Sequence, residues 1–148
     1  MADEARQADV AQRGAQVMPF ALSSTIHIFT KTPDGGVQQV VVRDLADTEQ
    51  IKLVREHLQE MQTRFERGDF SGPSHIHGDD MPGLAALRSA KPGEISFAYR
   101  DIDDGAEITY RTTDATLLVA IHAWFDAQVS DHGADAVEVH EHRQARMP

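Results

Sequence analysis

The chain has no cysteine, which excludes disulfides, thiolate metal sites and a cysteine nucleophile. It has no asparagine either, so it carries no N-glycosylation acceptor. No apolar run approaches the roughly 18 residues of a membrane span. Basic residues are scarce: 14 Lys and Arg face 24 Asp and Glu, a net charge of −10 with histidine neutral. A nucleic-acid partner needs a basic face to neutralise phosphates, so this balance argues against one. A cation suits such a surface better. Residues 1–16 are polar and lack the apolar stretch of a signal peptide. That fits a cytoplasmic chain as given, with a periplasmic location open if a leader was removed.

What is present describes a globular domain. Of 148 residues, 41% are hydrophobic and 26% charged, enough for one real core. Residues 1–17 read as a flexible or helical arm, 18–133 as a single domain, and 134–148 as a polar tail holding His140 and His142. Within the domain, 24–31 and 37–43 are apolar strands around the turn Pro33-Asp34-Gly35-Gly36. A helix is expected over 47–66, with Asp47 and Gln50 as a capping box and Ile51, Val54, Leu58, Met61 and Phe65 as its buried stripe. A Gly/Pro-flanked loop follows, then a short helix over 81–89. Residues 94–100 and 107–112 alternate around Asp103-Asp104-Gly105, and a last helix runs over 114–130, with Leu118, His122, Phe125 and Val129 on one face. The order strand, Asp/Gly turn, strand, acidic cap, helix occurs twice. Leu53-Val54-Arg55-Glu56-His57 aligns with Leu118-Val119-Ala120-Ile121-His122, with about four extra residues in the first half. The fold expected is α+β: two ββα halves forming a mostly antiparallel four-stranded sheet, with helices packed on the face carrying Ile95, Phe97, Ile108 and Tyr110.

No phosphate-binding loop, dinucleotide glycine pattern, nucleophile elbow or H-E-x-x-H helix is found. Eight histidines remain: His27, His57, His75, His77, His122, His132, His140 and His142. His75-Ile76-His77 offers two imidazoles from one loop, and Met81 adds a thioether nearby. Imidazole suits zinc and copper, and a thioether favours copper. His122 sits on a helix face four residues from Asp126, a carboxylate able to orient an imidazole or to ligate. His132 ends that helix, where a cationic side chain also suits the dipole. His27 is mid-strand on the parity of Thr25 and Phe29, either lining a pocket or on the outer sheet face. The reading is a small homodimeric metal-binding protein, copper or zinc, with His77, His122 and His132 as donors, Met81 and His27 as further ligands and Asp126 as an orienting carboxylate.

Two other classes stay in view. An acid–base enzyme without an organic cofactor could use His77 with Asp79 or Asp80, or His122 with Asp126, with Ser74 as a weak nucleophile candidate. A homodimeric interaction module with no metal could use the first hairpin, which is apolar on both faces.

Finally, Val17-Met18-Pro19-Phe20, Gly68-Asp69-Phe70, the segment from Ile76 to Leu84 and the segment from His122 to Gly133 resemble a group of short bacterial proteins over most of residues 17–135. The group is often labelled aspartate carbamoyltransferase. True carbamoyltransferases are two-domain chains about twice this length, and their Ser-Thr-Arg-Thr phosphate motif is absent here. The resemblance therefore implies no established activity. It places His77, Met81, His122 and His132 inside the group's most recognisable segments.

Overall fold

Alternation and turn chemistry build two hairpins of the same size. A computed structural model describes residues 4–8, 10, 24–70, 81–132 and 136–140, with the backbone alone for 131–132 and 137–140. β1 (Thr25–Thr32) and β2 (Gly35–Val42) form the first hairpin, and β3 (Ile95–Ile102) and β4 (Gly105–Thr112) the second. Between them lie α1 (Thr48–Glu66) and the short α2 (Leu84–Ser89); α3 (Ala115–His132) and β5 (Ala136–His140) follow. The sheet order is β3-β4-β2-β1-β5. The first four strands pair antiparallel, as the α+β expectation required, and the hairpins meet through β2 and β4.

β5 is the departure. Residues 134–148 read as a polar tail, yet 136–140 add a parallel edge strand beside β1. Five residues carry little strand signal of their own. Here α3 brings the chain back to a sheet edge whose backbone groups can pair with it.

The helices cover one face. Directly paired strand residues share a face, so Phe29, Gln38, Ile108 and Tyr99 lie in one row and Gly36, Tyr110 and Phe97 in the next. On α1 the expected stripe is buried at Ile51, Val54, Leu58 and Phe65. Asp47 accepts from the Gln50 backbone N–H at 3.3 Å, which is the expected cap. The side chains of Phe65, Phe70, Phe97, Tyr110 and Trp124 form one aromatic cluster, with centroids 4.6–6.3 Å apart among the contacting pairs. The Tyr110 hydroxyl donates to Gln38 Oε1 at 2.6 Å, which satisfies its one polar atom in that core.

The internal repeat is visible in the geometry. Each strand of the first hairpin has its counterpart 70 residues later. Gly35 abuts the Tyr110 carbonyl, and Gly105 abuts the Val40 carbonyl, 70 residues displaced in both members. The helix caps Asp47 and Asp114 are only 67 apart. The first half therefore holds three extra residues between hairpin and cap, and the pentapeptide alignment above is shifted by two. The true counterparts are Val54 and Ile121, Arg55 and His122, and Leu58 and Phe125.

Candidate functional site

His122 and Asp126 belong to the first hairpin's support. The His122 Nε2 atom lies 2.8 Å from the Gly35 carbonyl and 3.0 Å from the Thr32 carbonyl. Both partners are acceptors, so Nε2 carries the hydrogen and donates, and that nitrogen has no lone pair for a metal. Its repeat counterpart Arg55 makes the same clamp on the second hairpin: Nε donates to Gly105 O at 3.0 Å and Nη2 to Ile102 O at 2.7 Å. One helical side chain thus grips the two carbonyls flanking each turn. Asp126 Oδ1 lies 2.5 Å from Lys31 Nζ on β1, and no hydrogen bond joins it to His122. Replacing His122 by Leu should cost about 1–2 kcal/mol, as should Arg55→Met, for the loss of one such clamp. Urea unfolding measures both, and His122→Leu should leave any metal affinity unchanged.

The opposite end of α3 gathers other candidates. His27 faces the helices, 3% exposed, with its ring stacked on Phe29 at 6.4 Å. Of the two placements open from sequence, the covered face is the one observed. In register His27 pairs with Ala136 of β5, and His132, four residues earlier in the chain, closes α3. His27 and His132 are therefore brought to one end of the sheet. Met81 is buried, and Arg6 Nη2 lies 3.9 Å from its sulfur. The adjacent Gln7 donates through Nε2 to Ser130 O at 3.1 Å. Neighbouring side chains of the helical residues 4–8 thus bridge Met81 to the last turn of α3. Gly83 (φ 83°) holds the Met81 segment close: a Cβ there would stand 2.1 Å from Ala120 O. His77 lies outside the described residues, four positions before Met81, as do Ser74, His75, Asp79, Asp80 and His142. Among the described residues no three His, Asp or Glu side chains form a group able to hold a metal ion.

Sequence reasoning missed two polar groups on α3. The buried face is Leu117, Ala120, Ile121, Trp124, Phe125 and Gln128, whereas Leu118, His122 and Val129 are only half-buried. Trp124 Nε1 and Gln128 Nε2 are buried without a hydrogen-bond acceptor among the described residues. A buried donor left unmade costs about 1–3 kcal/mol, so this pair needs an explanation. A glutamine one turn from a tryptophan on an apolar face was the available signal.

The remaining features have plainer readings. A surface cleft lined by Arg67, Arg88 and Lys91 over Phe65 and Phe97 lies where α1 and α2 end, and cations there complement the helix dipoles. Among the described residues Leu45 and Val119 are the large hydrophobics that stay exposed, and neither is on the first hairpin, where a dimer surface was expected. His57 is half-buried on α1; desolvation lowers its pKa below 6.5, with Glu60 opposing and Arg64 adding to the shift. The unfolded chain then takes up a proton more readily than the folded one. The stabilisation is complete above pH 6.5 and is lost as pH falls from there through the lowered folded value. Melting temperature should therefore fall less steeply between about pH 7 and 5 in His57→Leu than in the unsubstituted protein. An equal slope in both would remove His57 from the account.

No family model, curated protein or solved structure matches the chain.

Proposed function

We propose that the protein binds one transition-metal ion, copper or zinc, where β1 begins and α3 ends. His27 and His132 supply imidazoles, and the 77–81 segment supplies His77 and the Met81 thioether. The observation that carries this reading is His27, an imidazole on the covered sheet face, in register with the residue four positions beyond His132. The buried Met81 sulfur is tied by Arg6 and Gln7 to the same end of α3. Two or three imidazoles with one thioether match copper's preference for mixed nitrogen and soft sulfur donors, while imidazoles alone serve zinc. The acidic surface, −10 overall, favours a cation.

His122 and Asp126 are left out of this donor set. The first grips the Thr32 and Gly35 carbonyls at the turn, the far end of β1 from His27, and the second pairs with Lys31. The same contacts take the His122–Asp126 dyad out of the acid–base alternative, because the two are not hydrogen-bonded; its other dyad, His77 with Asp79 or Asp80, lies outside the described residues. Competition titration of the tag-free full chain with Cu(I), Cu(II) and Zn(II) tests the proposal. One equivalent bound with submicromolar affinity supports it, and the absence of any binding above weak surface association removes it.

A further inference from the structure

We infer that the cleft between the ends of α1 and α2 binds a small aromatic carboxylate, its ring on Phe65 and Phe97 and its carboxylate on Arg67 and Lys91. The site shares no residue with the metal reading and does not depend on it. The cleft measures about 160 Å³. An apolar cavity of about 150 Å³ accepts a benzene ring, so one six-membered ring fits this space.

Floor and rim differ in chemistry. Phe65, Leu87, Ile95 and Phe97 line the floor, and all four belong to the buried core. The Phe65 and Phe97 rings stand 5.7 Å apart within the aromatic cluster, which makes the floor rigid. The rim carries the exposed Arg67, Arg88 and Lys91. The one acidic residue lining the cleft is Glu66, and its carboxylate accepts from the Gln62 amide.

Helix dipoles account for one cation in each last turn, Arg64 on α1 and Arg88 on α2. Arg67 and Lys91 lie beyond those turns. Neither side chain has a hydrogen-bond or ion-pair partner among the described residues, in a chain that offers 24 Asp and Glu. The acidic side chains close to them in sequence are engaged elsewhere. Asp69 pairs with Arg64 at 3.3 Å, and Glu94 accepts from the Lys91 backbone N–H at 2.7 Å. The turns that carry the two cations are themselves closed, by Gly68 N–H donating to Phe65 O at 2.9 Å and Glu94 N–H to Lys91 O at 3.0 Å.

Two unpaired cations above an apolar floor call for an anion with its own apolar surface. An inorganic anion would leave the floor in water, and a neutral ring would leave the cations unpaired. A guanidinium takes a carboxylate through two parallel N–H donors, and an ammonium adds a point charge. The overall charge of −10 repels anions at long range, so affinity comes from this local pair.

The test is an amide-resolved NMR titration of the metal-free full chain with sodium benzoate, sodium acetate and benzyl alcohol at one ionic strength. Benzoate should bind saturably and move the amide signals of Gly68 and Gly93, which line the cleft. It should bind at least about tenfold more tightly than acetate or benzyl alcohol, each of which keeps half of its chemistry. Arg67→Gln combined with Lys91→Gln should raise the benzoate dissociation constant at least about tenfold. Arg100→Gln, which removes a cation paired with Glu107 on the neighbouring strand, should leave it unchanged. Ala90→Leu fills the cleft from its wall and should erase the preference for benzoate over acetate while the cations remain. The inference is overturned by any of three results: no saturable benzoate binding, acetate bound as tightly as benzoate, or a double variant no weaker than Arg100→Gln. Because every titration is run without metal, none of these results bears on the metal reading.

Discussion

Gly105→Ala should destabilise the protein by about 3 kcal/mol or more, a large part of the stability of an ordinary domain. A methyl group at Gly105 would stand 2.0 Å from the Val40 carbonyl oxygen, which belongs to the neighbouring strand's backbone. Nothing flexible can yield there. Relief requires β2 and β4 to separate, and these are the strands that join the two hairpins. Gly35→Ala should cost as much, because its methyl would stand 1.8 Å from Tyr110 O. Gly68 is the control. It is left-handed (φ 78°), and a Cβ there meets nothing within 4 Å, so Gly68→Ala should cost only about 1 kcal/mol of backbone strain. Chemical denaturation ranks the three. Equal small losses at all three glycines would contradict the close approach.

The second large effect is at Phe65. It is 2% exposed and contacts the rings of Phe70, Phe97, Tyr110 and Trp124. Phe65 links α1 to β3, β4 and α3 in one packed volume. Phe65→Ala should cost about 3–5 kcal/mol, from lost transfer free energy plus the cavity left behind. Leu45→Ala, at a site 64% exposed, should cost close to nothing. A loss below 1 kcal/mol at Phe65 would mean that the cluster collapses to fill the space.

The elements legible in the sequence were those whose pattern has one reading. Ile95, Phe97 and Tyr99 alternate with polar neighbours, and Ile51, Val54, Leu58 and Phe65 recur at helical spacing between charged residues. Both patterns name the buried face directly. α3 is different. From Leu117 to Val129 it is apolar on most positions, so periodicity barely distinguishes its faces. The stripe through Leu118 and His122 was chosen one position away from the buried one through Leu117, Ile121, Trp124 and Gln128. The error drew attention to His122 and away from Gln128.

The repeat shows a similar limit. Element order revealed two halves, but residue identity aligned His122 with His57. In space its counterpart is Arg55, a different side chain doing the same job. Hydrogen-bond geometry at a turn constrains the donor's reach more than its chemistry, so a conserved role leaves no shared letter. β5 was illegible for another reason, since its pairing depends on where α3 delivers the chain. With β5 came the register of His27 with Ala136, four residues beyond His132, which no local pattern encodes.

The most direct test of the metal reading is competition titration of Cu(I) and Zn(II) on four chains: unsubstituted, His27→Ala with His132→Ala, His122→Gln, and a chain ending after His140 so that β5 is kept. The proposal predicts one tight equivalent in the unsubstituted, His122→Gln and shortened chains. In the double variant it predicts a loss beyond the roughly 10–100-fold that removing a mere outer partner of a ligand costs. Undiminished binding by the double variant, or binding lost only with residues 141–148, would contradict it.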